Sequence, residues 1–342
     1  VSRWAGFTGL AWGGLVVACA GAPDTGTSSL SEAVVGGEVS GEGDDFVVRV
    51  TAREATPLAD VACSGTLLAP NLLMTALTCV TVFDALGRFA CEADGNLQAG
   101  EDGGWVGETL APELVEVSVG TTLPPMVAAR GTRVFGTGST VACIDNIAFV
   151  VLDTNLPVRK IPVRIDRPVA PGELMTVIGY GQNGFSDVPR ARRSGVLVLE
   201  VGPDDTSGGT GTTAPRTFIV GDGPCPGDNG APALSDETGA VTGVFARNFT
   251  GNCLLSGTRG WFTKLAPYAA LLRRAFDAAG QEPLVEGETP AQIVARPHQP
   301  SCTLGAADAQ AELAGPALFA LVVFGARRRA ARARNTRLPP RS

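Results

Sequence analysis

The sequence predicts an all-β protein of many short strands, and three observations carry that expectation. Glycine (44) and proline (24) are plentiful, and aromatic residues make up only 6% of the chain. Short apolar runs stop repeatedly at Gly, Pro, Asn or Asp, residues that turn a chain rather than extend a helix. Hydrophobic residues reach 44% over 342 positions, enough to bury a sizeable core and too many for a disordered chain.

Charge narrows the function classes. The formal net charge is −7, but the sixteen residues 327–342 hold seven arginines and no acid, so the preceding chain sums to −14 (−7 minus +7). An acidic body argues against nucleic-acid binding, which needs a basic face for phosphates. Eight cysteines stand at 19, 63, 79, 91, 143, 225, 253 and 302, with no Cys-x-x-Cys pair, which favours disulfides in an oxidising compartment over zinc or redox work. No metal cluster, phosphate loop or cofactor motif occurs, so no cofactor is expected. A single histidine, His298, serves the whole chain.

The ends read as addresses. Arg3 precedes an apolar stretch ending Leu15-Val16-Val17-Ala18-Cys19, which resembles a bacterial lipoprotein signal with Cys19 as the lipidated residue; an ordinary secretory signal is the alternative. Residues 20–33 are small and polar and suit a spacer or propeptide. After a linker over 281–314, residues 315–342 join a short apolar run to Arg327-Arg328-Arg329. That run is shorter than the about 20 residues a membrane span needs. With Cys302 before it, the order resembles the C-terminal sorting tags of myxobacterial surface proteins; a retained, marginal membrane helix is the alternative. The expected setting is export, with attachment to the outer membrane or cell surface through lipid or tag, or release.

Between these ends, residues 34–280 carry ordered motifs. Val34-Val35-Gly36-Gly37 comes first, then Cys63-Ser64-Gly65-Thr66-Leu67-Leu68 and Leu73-Met74-Thr75-Ala76-Leu77-Thr78-Cys79. Asn146-Ile147-Ala148-Phe149-Val150-Val151-Leu152 follows, then Cys225-Pro226-Gly227-Asp228-Asn229-Gly230-Ala231-Pro232. In this order they resemble the Ile-Val-Gly-Gly start, the Leu-Thr-Ala-Ala-His-Cys segment, the Asp-Ile-Ala-Leu-Leu segment and the Gly-Asp-Ser-Gly-Gly-Pro loop of the chymotrypsin/trypsin family. Gly179-Tyr180-Gly181, Gly243-Val244-Phe245 and Gly260-Trp261-Phe262-Thr263 are similar to further strands of that family. The resemblance implies two antiparallel six-stranded β-barrels and a C-terminal helix. Residues 266–279 fit that helix, with Tyr268, Leu271, Leu272 and Phe276 near helical spacing. It also implies bridges Cys63–Cys79 and Cys225–Cys253, leaving Cys91 with Cys143.

The resemblance places Thr78, Asn146 and Asn229 at the three triad positions. Triad chemistry needs an imidazole base, a carboxylate to orient it and an activated hydroxyl. Asparagine is no useful nucleophile and threonine shuttles no proton near neutral pH. A register shift would put Asp145 in place of Asn146, but it would displace the matched Ile-Ala pair and turn the side chain to the other face. The histidine count does not depend on register, since His298 lies beyond the domain. A Ser–Lys dyad would need Lys160 or Lys264, and a cysteine nucleophile would need an unpaired thiol. Deamidation of Asn229, encouraged by Gly230, would create an aspartate and restore no serine chemistry.

Other family features remain. Asp228 stands where the family pairs a clipped N-terminus, here Val34, and the N–H groups of Gly227 and Asn229 stand where the oxyanion hole forms. Gly223 falls at the base of the specificity pocket, with Asp222 as the neighbouring alternative. The leading expectation is a noncatalytic, exported trypsin-like homologue that binds a peptide, an inhibitor or an active protease. A secreted serine endopeptidase and a passive surface protein are the competing expectations.

Overall fold

The computed structural model describes residues 34, 36–53, 61–83, 89–101, 103–121, 125–181, 190–205, 213–221, 223–225, 227–248 and 259–288. In chain order the strands are β1 (Glu38–Val39), β2 (Val47–Ala52), β3 (Val61–Ala69), β4 (Leu72–Thr75), β5 (Thr81–Phe83), β6 (Val106–Thr109), β7 (Val115–Ser118) and β8 (Val127–Gly136). They continue as β9 (Ala148–Leu152), β10 (Leu174–Gly179), β11 (Ala191–Val201), β12 (Thr217–Val220), β13 (Pro232–Ser235), β14 (Val241–Asn248) and β15 (Gly260–Lys264), before helix α1 (Ala269–Ala278).

Six antiparallel strands close a first barrel in the order β2-β3-β4-β9-β8-β7. A second runs β11-β10-β13-β14-β15-β12 and closes by pairing β12 with β11; β1 is added beside β11, and β5 and β6 form a separate hairpin. The expected pair of antiparallel six-stranded barrels is therefore present.

The apolar runs follow from where each face looks. All five residues of β9 are buried. Ala148, Val150 and Leu152 fill the first barrel, while Phe149 and Val151 point the other way, into a cluster shared with Ile178 of β10, Leu234 of β13 and the helix residues Leu272 and Phe276. A strand covered on both faces needs apolar residues at every position rather than at alternate ones. The second barrel has its own interior of Val177, Val196, Val198, Phe218, Phe245 and Phe262.

A buried arginine ties the barrels together. Arg190 is fully buried and donates to the carbonyl of Val47 at 2.9 Å, the carbonyl of Gly41 at 2.6 Å and the carboxylate of Asp45 at 2.9 Å. Tyr180 adds a second tie, its hydroxyl donating to the Gly120 carbonyl at 2.7 Å. Arg190 follows a segment with no matched motif, and its role was not expected.

The helical segment begins as a single 3-10 turn over Ala266–Tyr268 and becomes α1, with Tyr268, Leu272 and Phe276 buried as their spacing implies. The packed chain runs past residue 280, where a linker was expected. Val285 is buried and bridges to Val163, and Glu286 receives the guanidinium of the buried Arg164 at 2.7 Å. Those eight residues stay because they cover an apolar site and complete a buried ion pair.

Candidate functional site

Two residues from different parts of the first barrel meet beside the second barrel. After β4 the chain makes a 3-10 turn over Leu77–Cys79, which leaves Thr78 buried. Asn146, just ahead of β9, is also buried; its Oδ1 accepts the Thr78 backbone N–H at 3.0 Å, and its Nδ2 lies 3.5 Å from Thr78 Oγ1.

The neighbouring acid is turned away. Asp145 adopts a left-handed conformation (φ 59°), and its carboxylate accepts from Arg216 at 3.0 Å and from the Tyr268 hydroxyl. Of the two candidates at this point, Asn146 faces Thr78. The buried Tyr268 phenol is pushed upward first by burial and then by that carboxylate, so it remains a neutral donor.

Asn229 arrives from the second barrel. Its carbonyl accepts the N–H of Ser64 in β3 at 2.8 Å and lies 3.6 Å from Cys79 Sγ, next in sequence to Thr78. Gly230 makes this approach possible. A Cβ at that position would lie 2.0 Å from the Ser64 carbonyl oxygen and 2.3 Å from Thr75 Oγ1, and its φ of +90° is itself glycine territory. Ser64 also accepts the Tyr180 N–H on its hydroxyl at 2.9 Å, so one small residue of β3 holds two loops of the second barrel. The sequence signal for it was available, since serine stands where the resembling motif has glycine.

The loop over residues 227–230 has two distinct sides. Gly227 and Asn229 are partly exposed, and among the described residues neither backbone N–H has a hydrogen-bond partner. Asp228 points inward and is fully buried. Its two carboxylate oxygens accept the N–H groups of Gly181 and Cys225, each at 2.7 Å. Gly179 must lack a side chain for the same reason: a Cβ there would lie 1.9 Å from Asp228 Oδ1. Burial pushes the Asp228 carboxyl up to about 8, against the opposing pull of those two N–H donors.

Val34 is buried, forms a bridge with Pro224 and packs against Ala191. Gly223 is buried nearby, where an added Cβ would make ordinary contacts with Val196 and Val34. Asp222, the alternative pocket residue, lies outside the described residues. The bridges Cys63–Cys79 and Cys91–Cys143 are formed. Cys225 is disulfide-bonded, but the expected partner Cys253 lies outside the described residues, as do Cys19, Cys302 and His298.

Both lysines proposed for a dyad are held by other groups among the described residues. Lys264 Nζ is held by the Gly202 carbonyl at 2.5 Å and Asp204 at 2.6 Å, and Lys160 Nζ by the Glu282 carbonyl at 3.2 Å. Neither ammonium has a serine among these partners. Among the described residues no cluster of His, Cys, Asp and Glu is arranged to hold a metal, and no helix is long and apolar enough to cross a membrane.

Comparison with solved structures agrees with this architecture. A scabies mite inactivated protease paralogue superposes with a TM-score of 0.51 over 71% of this chain and 99% of its own, at 17% identity. Human heparin binding protein gives a TM-score of 0.49 over 72% and 99%, also at 17% identity. No family description and no curated protein matches the sequence. The fold is that of the trypsin-like serine proteases.

Proposed function

We propose that this chain is a noncatalytic homologue of trypsin-like serine proteases whose cleft binds an extended peptide or protein segment. One observation carries the noncatalytic half: at the junction of the barrels a threonine, Thr78, is hydrogen-bonded to an amide, Asn146, and the backbone of a second asparagine, Asn229, reaches the adjoining Cys79. These are the positions that the resembling motifs assign to base, orienting acid and nucleophile. None of the three side chains exchanges a proton near neutral pH.

Binding is supported by what the site still offers. The N–H groups of Gly227 and Asn229, without a partner among the described residues, are donors available to an anion or a carbonyl oxygen. Beyond Val244, which pairs with Pro232, β14 continues through residues 246–248 with a strand partner on the β15 side only, among the described residues. A free strand edge beside such donors is suited to pairing with an extended segment. A peptide, an inhibitor loop or an active protease would each present one.

The proposal includes an extracytoplasmic setting. The two bridges in the first half of the described chain favour an oxidising compartment, and the sequences at both ends read as export and attachment signals. In the same reading Val34 and Asp228 form the pair that cleavage after Ala33 would complete. Sequencing the mature N-terminus tests it: a start at Val34 removes any tether at Cys19.

A fluorophosphonate probe and a pull-down together test the function. No covalent labelling and specific retention of a peptide or protein are expected. Labelling would establish the endopeptidase reading, and retention of nothing would establish a passive surface protein.

A further inference from the structure

Among the described residues, Arg247 of β14 is a cation without a counter-ion. The two fully buried arginines both have carboxylates: Arg164 meets Glu173 and Glu286, and Arg190 meets Asp45. Arg247 makes no ion pair and no hydrogen bond among the described residues, and its Nε is buried with no acceptor. The guanidinium lies over the Trp261 ring, 4.4 Å from the centroid, and the side chain stays partly exposed. Burial draws it down to about 10, so it remains charged at neutral pH.

Its position connects it to the cleft. Gly230 N–H donates to the Phe245 carbonyl at 2.9 Å and Phe245 N–H to the Ala231 carbonyl at 2.8 Å, so β14 is fastened to the loop that carries Asn229 just two residues before Arg247. A β-bulge between Phe245 and Arg247 re-aims the chain, so Arg247 pairs with Trp261 rather than following Phe245 into the barrel interior. Among the described residues, the edge that continues without a second strand partner therefore carries a half-buried guanidinium whose Nε has no acceptor.

We propose that Arg247 is a specificity-determining residue and that the cleft selects an extended peptide segment with an Asp or Glu side chain at one fixed position. This rests on the peptide-binding reading above. A guanidinium over an indole ring keeps a fork of N–H donors that matches a carboxylate in a bidentate pair. An acidic side chain would supply the missing acceptor, and the free strand edge would supply the backbone register that places it.

The test uses the full chain and an array of N-acetylated, C-amidated octapeptides of random sequence. Bound peptides are expected to share Asp or Glu at one position, with Glu→Gln in the best binder weakening it by about tenfold or more. Arg247→Gln should abolish that discrimination, and Arg247→Lys should keep part of it. Peptides bound without an acidic preference, or discrimination that survives in Arg247→Gln, would overturn the assignment and leave the peptide-binding reading standing. No bound peptide at all would overturn both. Should Arg247→Gln fail to fold, the Glu→Gln comparison on the unaltered protein decides alone.

Discussion

Asp145 and Arg216 are the two non-glycine residues with positive φ among the described residues, at 59° and 58°, and they are bonded to each other at 3.0 Å. One precedes β9 of the first barrel and the other precedes β12 of the second. Each left-handed backbone costs on the order of 1 kcal/mol, and for arginine such a conformation is a genuine outlier. The ion pair and the Tyr268 hydroxyl offset that cost and, by turning Asp145 outward, leave Asn146 facing Thr78. Arg216→Ala and Asp145→Ala are each expected to destabilise by about 1–3 kcal/mol, with the double variant losing less than their sum. Arg216→Gly should lose less than Arg216→Ala, because it relieves the backbone. Urea unfolding reads all four, and additive losses would show that the pair contributes nothing.

In the proposed noncatalytic reading, building triad chemistry needs all three positions. Asn229→Ser alone supplies a hydroxyl with no base, and Thr78→His alone supplies a base with no nucleophile. Both single variants are expected to remain unlabelled by a fluorophosphonate, and the triple variant Thr78→His, Asn146→Asp, Asn229→Ser to become labelled. The geometry that motivates this is the Asn146 Oδ1 to Thr78 N–H bond, which an aspartate at 146 would keep. Labelling of a single variant would mean that another base serves the site.

Asp228 gives the folded protein a distinctive pH response. Its carboxyl is pushed up to about 8, chiefly by burial, so between about pH 4 and 8 the folded state holds a proton that the unfolded state has released. Stability from this group is complete below that window and falls as pH rises, at about 1.4 kcal/mol per unit when the difference is one proton. Glu116 and Glu286 act at the acidic side: although burial pushes them upward, arginine partners hold both below the ordinary carboxylate range, so their contribution is lost only at lower pH. Urea midpoints at pH 5 and 7.5 should show the higher stability at pH 5, and Asp228→Asn should flatten the difference. An equal or higher midpoint at pH 7.5 would mean that Asp228 is ionised in the folded protein, paired with a cation such as a freed Val34 amine.

The barrels were legible because their strands announce themselves in different ways. β9 reads as a continuous apolar run because both its faces are covered, and α1 reads through Leu272 and Phe276. Thr78, Asn146 and Asn229 were found by motif, and the structure brings their segments together. The preference for Asn146 over Asp145 came from the matched Ile147-Ala148 pair; alternation alone is no guide there, because the left-handed Asp145 breaks it. Arg190 and Arg247 were invisible for another reason. Whether a buried or half-buried arginine has a carboxylate depends on which distant loops fold beside it: Asp45 reaches the first, and no described acid reaches the second. The chain past residue 280 looked like linker because one valine and one glutamate carry no periodicity.

Asn229-Gly230 is the sequence most prone to deamidation in the site, and the fold opposes it. Succinimide formation requires the Gly230 nitrogen to attack the Asn229 side-chain carbonyl carbon. That nitrogen donates to the Phe245 carbonyl at 2.9 Å, and Gly230 is wedged at φ +90° against Ser64 and Thr75. Reaching the attack geometry would break the bond and lift the loop from β3, where Ser64 N–H holds the Asn229 carbonyl at 2.8 Å. Deamidation at 229 is therefore expected to be at least about tenfold slower in the folded protein than in the same chain unfolded in urea, the ratio that a barrier of about 1.4 kcal/mol produces. Peptide mapping by mass spectrometry over a time course at pH 8 measures it. Equal rates in the two states would show that the loop opens freely, and the N–H donors proposed to receive a peptide would then not be preorganised.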